Sequence, residues 1–229
     1  MKSFLILLMA GNGTRLYKDI GEKKQFFNVN DKPLFLYSLT SFIESNIFDK
    51  YVLVISKDDE KTVISYLNKF NISIDNILIT YGGETRNDSV LNGLNKLNDV
   101  ANYESKVFIH DSARPLIDVK TILEIYNKSL NSDGLTPIIK IDDSILSDEN
   151  DIKYVNRDNY FKVATPQVFT YIKIKEAYKD YDNSSTDDFS KLLNKGYKVD
   201  TIIISKRTFK VTTIEDLILL KAYLNIENN

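Results

Sequence analysis

The sequence has no cysteine, no tryptophan and a single histidine, His110. The absence of cysteine excludes disulfides, thiolate nucleophiles and cysteine zinc sites. One imidazole excludes a multi-histidine metal centre, and a Ser-His-Asp triad could use only His110. A dominant charge is also lacking: 30 basic against 32 acidic residues leave a net charge of −2 and a pI of about 5.6. A nucleic-acid binder shows a basic surface instead. No apolar run approaches the ~20 residues of a membrane span. Met1-Lys2-Ser3 leads into an apolar run that stops at Gly11-Asn12-Gly13, so no secretory leader is expected. These absences predict a cytoplasmic protein with neither nucleic-acid nor membrane partners. The 229 residues, 43% of them hydrophobic, suit one domain with a sizeable core.

Glycine is scarce too, so its placement carries information. Only eight occur, and Gly11, Gly13, Gly21, Gly82 and Gly83 fall in two short stretches. Residues 5–9 form an uninterrupted apolar run that reads as a buried strand. Ala10-Gly11-Asn12-Gly13-Thr14-Arg15 follows at once, and a strand entering a glycine-rich loop presents backbone N–H groups to phosphate oxygens. The cations Arg15 and Lys24 lie in the same stretch, as a triphosphate would need. The spacing is not GxxxxGK[ST], and Leu16 stands where a dinucleotide fingerprint has its third glycine. GxGTR followed by Lys24-Gln25 resembles the signature loop of sugar- and alditol-phosphate nucleotidyltransferases.

Strand-like runs at 51–55, 77–81, 106–110 and 134–141 alternate with helical spacing at 34–43, 60–70, 89–97 and 119–129. This pattern predicts an α/β fold of βαβ units with a mainly parallel sheet. Ligands of such sheets bind beyond the carboxyl ends of the strands. Loops 10–15, 82–89 and 111–115 all follow strands and should meet at one sheet edge. The stretch 10–25 reads as loop. Residues 141–146 and 153–157 flank a turn and read as a protruding β-arm, about 141–160. Residues 164–169 read as extended around Pro166. Helices are expected over 172–180, over 189–195 behind the cap-like Thr186-Asp187-Asp188, and over 213–223, with a strand over 198–205.

Four further motifs occur in order: Gly82-Gly83-Glu84-Thr85-Arg86-Asn87-Asp88-Ser89-Val90, His110-Asp111-Ser112-Ala113-Arg114-Pro115, Ala164-Thr165-Pro166-Gln167 and Thr186-Asp187-Asp188. With the first loop they closely resemble the 2-C-methyl-D-erythritol 4-phosphate cytidylyltransferase family over nearly the whole chain. The ribitol-5-phosphate cytidylyltransferases share most of these motifs, but Thr-Asp-Asp and Glu-Thr-Arg-Asn-Asp-Ser-Val favour the erythritol acceptor. A nucleotide-binding module without turnover is the reading from another class, and the intact Arg15, Lys24 and Asp111 oppose it.

The resemblance implies a Rossmann-like nucleotidyltransferase fold, residues 1–229 being one domain whose arm serves dimerisation. It implies attack of a sugar-alcohol phosphate on the α-phosphorus of CTP, with pyrophosphate leaving. Arg15 and Lys24 match the catalytic cations. Ala10, Gly11, Asn12 and Gly13 match the triphosphate loop. Gly82, Gly83, Arg86, Ser89 and Ser112 match nucleotide-binding positions, and Asp111 matches the residue that binds Mg²⁺. Ser144, Arg157 and Lys210 match the acceptor grip, with Arg157 reaching a second subunit of a homodimer. Ser144 replaces the usual threonine, and Thr208-Phe209-Lys210 replaces the usual Asn-Ile-Lys. His110 is expected to pack and hydrogen-bond, Arg114 to bond loop carbonyls.

Overall fold

Strand β1 (Ser3–Leu8) lies at the centre of the sheet, and its lack of polar alternation follows from burial on both faces. It is flanked in parallel by β4 (Lys50–Ile55) and β6 (Lys106–Asp111), with β5 (Ile77–Tyr81) parallel beyond β4. Between β1 and β4 come α1 (Thr14–Ile20), the hairpin β2 (Asn28–Val29) and β3 (Lys32–Pro33), and α2 (Leu34–Glu44). Asn30 and Asp31 both have positive φ, as a two-residue hairpin turn of this kind requires. Helices α3 (Glu60–Lys69), α4 (Arg86–Lys96) and α5 (Val119–Ser129) connect the next strands.

The second half departs from simple βαβ winding. Strand β7 (Gly134–Lys140) is followed by the arm strands β8 (Ile145–Ser147) and β9 (Lys153–Val155), which among the described residues pair only with each other. Strands β10 (Phe161–Val163) and β11 (Gln167–Thr170) then return, and β11 inserts antiparallel between β6 and β7. The chain closes with α6 (Tyr171–Ala177), α7 (Phe189–Asn194), β12 (Val199–Ile203) parallel to β7, and α8 (Ile214–Glu227). This computed structural model describes residues 1–11, 13–148, 151–179 and 187–227, with only the backbone of residues 14, 15 and 227.

The two-residue period of β1 divides the core. Leu5 and Leu7 face a layer with Phe35, Leu39 and Phe42 of α2 and Ile122 and Ile125 of α5. Phe4 and Ile6 face Val90 and Leu94 of α4, Ile174 of α6 and Leu192 of α7. Helices therefore cover both sheet faces, as the alternation of strands and helices predicted. A third cluster joins Leu16 of α1, Leu34 and Val211 to Leu217, Leu220 and Leu224 of α8. It seats the segment around Val211 beside the first glycine loop.

One expectation is corrected: residues 14–20 are helical, not loop. Gly13 enters α1 at φ +57°, Leu16 is fully buried, and Gly21 ends the helix at φ +74°. One buried leucine and one glycine stop suffice for so short a helix, and its run of charged residues hides the periodicity. The cap at 186–188 falls partly outside the described residues at Thr186, and Asp187 supplies it: its Oδ1 accepts the Ser190 N–H at 3.0 Å.

Candidate active site

The carboxyl ends of β1, β5 and β6 open into a cavity of about 370 Å³, walled by Ala10, Gly11, Gly13, Lys24, Gly83, Arg86, Ser89, Asp111, Ser112 and Lys210. The expected meeting of the three loops at one sheet edge is therefore present. Asn12 and the side chain of Arg15 lie outside the described residues.

The first loop is held by Gln25, a buried amide whose Nε2 donates to the Met9 carbonyl at 2.9 Å. Its neighbour Lys24 runs beneath Gly13: a Cβ there would stand 3.1 Å from Lys24 Cγ. Lys24 Nζ donates to the Val211 carbonyl at 3.2 Å. Lys23 turns away into an ion pair with Asp59 at 2.8 Å. The adjacent lysines thus separate, one into the cavity and one into a surface contact.

The second loop packs so closely that side chains are excluded. A Cβ on Gly82 would stand 2.4 Å from the Ala10 Cβ, and one on Gly83 2.3 Å from the Asp88 Cβ. Gly82 thus joins the two glycine loops, while Gly83 lines the cavity. Ser89 Oγ accepts the Gly83 N–H at 3.2 Å and donates to the Thr85 carbonyl at 3.0 Å, which leaves one lone pair for a ligand donor. Thr85 and Asp88 form a reciprocal capping box that starts α4 and aims Arg86 across the cavity.

The third loop hangs from buried polar residues. The Ser112 N–H donates to the Leu8 carbonyl at 3.1 Å. Thr165 Oγ1 accepts the Asp111 N–H at 3.2 Å and lies 3.1 Å from His110 Nδ1, while His110 Nε2 lies 3.1 Å from the Arg114 carbonyl. For a neutral imidazole only one arrangement satisfies all three: Nε2–H donates to the carbonyl, and the threonine hydroxyl donates to Nδ1. His110 is fully enclosed, and burial pushes its pKa down to about 4 against the pull of Asp111. It is a neutral strut, as expected, and Arg114 bonds the carbonyls of Thr208 and Val163. The unfolded chain protonates its histidine near pH 6.5 while the folded chain resists until about pH 4. The unfolded state therefore binds more protons in that window, and stability falls as pH falls. Urea melts at pH 7 and pH 5 should differ by on the order of 2 kcal/mol through this group, and His110→Asn should flatten the difference.

The charges of the cavity converge on Asp111. Lys210 Nζ donates to its Oδ2 at 2.6 Å, and Arg86 Nε lies 3.6 Å from its Oδ1. Burial alone would raise the carboxyl pKa, but Arg86 and Lys210 outweigh it and hold Asp111 well below the usual carboxylate range. Arg86 also makes two hydrogen bonds to Asp188, at 3.0 and 2.8 Å. Burial opposes its charge, yet Asp188 and Asp111 raise its pKa further.

Ser144 and Arg157 are not brought to this cavity. Both sit on the exposed arm region, where Arg157 donates to the Asp142 carbonyl. Lys210 lies at the wall shared with a second cavity, of about 430 Å³, also lined by Arg114, Lys140, Lys162, Lys206 and Phe209. Asp188, Thr165 and Gln167 were missed as site residues. Their one signal was that Ala-Thr-Pro-Gln and Thr-Asp-Asp accompany the glycine motifs in the order of the resembled family. Among the described residues no group of three or more His, Asp or Glu could hold a metal, and no helix is long and apolar enough to cross a membrane.

The family model described as "IspD: 2-C-methyl-D-erythritol 4-phosphate cytidylyltransferase" matches residues 4–226. The 2-C-methyl-D-erythritol 4-phosphate cytidylyltransferase of Thermotoga neapolitana is 35% identical over 215 residues, 93% of this chain and 92% of that relative. The protein of the same name from Clostridioides difficile is 33% identical over 229 residues, 97% and 94% of the two chains. Among solved structures, the 4-diphosphocytidyl-2C-methyl-D-erythritol synthase of Anaerococcus prevotii superposes with a TM-score of 0.82 at 26% identity, covering 98% of this chain and 96% of its own. The 2-C-methyl-D-erythritol 4-phosphate cytidylyltransferase of Francisella tularensis gives 0.78 at 27% identity, covering 97% and 99%. With glycine loops, lysine and aspartate around one cavity and a match over almost its full length, the chain belongs to the 2-C-methyl-D-erythritol 4-phosphate cytidylyltransferase family, a family of nucleotidyltransferase enzymes.

Proposed function

We propose that this chain is a single nucleotidyltransferase domain that transfers CMP from CTP to 2-C-methyl-D-erythritol 4-phosphate, forming 4-diphosphocytidyl-2-C-methyl-D-erythritol and pyrophosphate. One observation carries the reading: Lys24 and Asp111 line the same cavity as the backbone of both glycine loops. An oxygen of the acceptor phosphate attacks the α-phosphorus of CTP. The new P–O bond forms as the bond to the β-phosphate oxygen breaks, and pyrophosphate leaves with that electron pair. Such chemistry needs in-line positioning and charge neutralisation more than covalent help.

In this reading Ala10, Gly11, Asn12 and Gly13 hold the triphosphate, and Lys24 with Arg15 neutralises charge growing on the α-phosphate. Gly83 and Ser89 read the cytosine edge, Gly82 brings their loop against Ala10, and Arg86 and Ser112 border the nucleotide. Asp111 would hold Mg²⁺. A hard cation bound by one carboxylate and substrate phosphates fits this donor set, because the Lys210 ammonium now on Asp111 can transfer to phosphate oxygens. Bound there, Mg²⁺ would neutralise phosphate charge. Lys210, on the wall between the two cavities, suits an acceptor phosphate beside the nucleotide. The charged, phosphorylated substrates suit a cytoplasmic enzyme.

The arm completes the site from a second copy of the chain. Leu146, Ile152 and Tyr154 are 54%, 73% and 78% exposed, an apolar surface unusual for a small hairpin facing water. Ser144 and Arg157, beside it, would reach the partner's acceptor. Lys24→Ala and Arg157→Ala should each be inactive alone. Mixed and re-equilibrated in equal amounts, they should regain about a quarter of wild-type activity, since half the dimers then hold one intact site. No recovery would place Arg157 in its own subunit's site, and an Arg157→Ala variant active alone would place it outside any.

Acceptor labelled with ¹⁸O in its phosphate tests the chemistry. All label should stay in the diphosphate product, with unlabelled pyrophosphate. Label in pyrophosphate, or free CMP as the main product, would refute direct attack.

A further inference from the structure

The pair Asp187-Asp188 divides its work. Asp187 caps α7, as described, and only one carboxylate is needed for that. Asp188 is completely buried and faces the other way. Its Oδ1 and Oδ2 accept Nη1 and Nη2 of Arg86 at 3.0 and 2.8 Å, and the Tyr178 hydroxyl donates to Oδ1. Gln167 fixes the backbone at this point: its Oε1 accepts the N–H groups of both Asp188 and Phe189 at 3.2 Å. Gln167 Nε2 in turn donates to Thr136 Oγ1 at 3.0 Å and Asp187 Oδ2 at 3.2 Å.

A guanidinium is a planar fork. Once both Nη groups are held by Asp188, the Nε edge is fixed too, and it lies 3.6 Å from Asp111 Oδ1, within ion-pair reach. A carboxylate with no access to the cavity thereby sets the position of one that lines it. Without Asp188, Arg86 would carry an unbalanced charge at the cavity wall. It could then close bidentately on Asp111 or swing onto phosphate oxygens.

We propose that Asp188 is a positioning residue for this reaction: acting through Arg86, it holds the Asp111 carboxylate and the start of α4 in the arrangement that receives CTP. This rests on the assignment of Arg86 and Asp111 to the nucleotide site. It also gives the Ala-Thr-Pro-Gln and Thr-Asp-Asp motifs one purpose. Thr165 holds the backbone of Asp111, Gln167 holds the backbone of Asp188, and the two carboxylates meet through Arg86.

The test is the dissociation constant for CTP with Mn²⁺, measured calorimetrically without acceptor, beside kcat and KM and a thermal melt. Asp188→Asn should weaken CTP binding about tenfold and lower kcat/KM by about 10- to 100-fold, the usual range for groups that orient ligating residues. Tyr178→Phe removes one hydrogen bond to Asp188, at a residue that does not line the cavity. It should weaken CTP binding of the folded variant by about threefold, alongside the lower melting temperature that loss of a buried hydrogen bond brings. Adding Asp188→Asn to Arg86→Lys should cost less than about twofold more, because the two residues act as one unit. A merely structural Asp188 would lower the melting temperature and leave the CTP constant of the folded variant unchanged. That result, or losses that multiply in the double variant, would overturn the proposal. If Asp188→Asn does not fold, Tyr178→Phe decides, and an unchanged CTP constant there overturns it. Wild type that binds CTP yet turns over neither acceptor would refute the functional assignment while leaving the variants' CTP constants to judge Asp188.

Discussion

Lys24→Ala should lower kcat by about a thousandfold with little change in the affinity for CTP. The ammonium is the described side-chain cation of the first loop that enters the cavity, and its stem is held between Gly13 and the Val211 carbonyl. Such preorganisation matters for charge that develops only as the α-phosphorus becomes five-coordinate. An interaction made in the transition state and weak in the ground state shows its loss in kcat rather than KM. Lys23→Ala is the matched control. It removes a largely enclosed ion pair with Asp59, outside the cavity lining, and should lower stability while keeping near wild-type rates. Equal losses in both variants would mean that the loop's overall charge matters and that Lys24 has no particular post.

Asp111→Asn should lower kcat by about 10²- to 10³-fold, with a different signature in binding. The carboxylate balances Lys210 and Arg86 at 2.6 and 3.6 Å. Removing its charge leaves the cavity more positive, so CTP without divalent ions should bind as well as to wild type or better. The benefit of added Mg²⁺ should largely disappear. The signs of the two effects are opposite, which a general loss of structure cannot produce. Weaker metal-free CTP binding together with full retention of the Mg²⁺ effect would contradict the place given to Asp111.

Local features of this protein were open to sequence reasoning. Residues 4–9 are apolar without alternation, the next two are small, and a buried strand entering a phosphate-type loop follows from neighbours alone. The same holds for β5 running into Gly82-Gly83 and β6 into Asp111, and three loops after three parallel strands must share an edge. Helix α1 was hidden because seven residues with one buried leucine carry almost no periodicity. The choice between Lys23 and Lys24 depends on Asp59, which stands 36 residues from Lys23. The antiparallel insertion of β11 between β6 and β7 follows from no local pattern. The Arg86–Asp188 contact spans 102 residues, so an N-cap composition at 186–188 could suggest a helix start but not a second duty for Asp188. What was legible was set by residues a few places apart, and what was not was set by contacts distant along the chain or, for α1, by an element too short to carry a period.

The central claim is that this cavity joins CMP to a methyl-branched alditol phosphate with a four-carbon chain. Pyrophosphate release with CTP and Mg²⁺ tests it most directly, run in parallel with 2-C-methyl-D-erythritol 4-phosphate and D-ribitol 5-phosphate. Release with the erythritol compound alone is the predicted result. Release with the ribitol compound alone, or with neither, would contradict it.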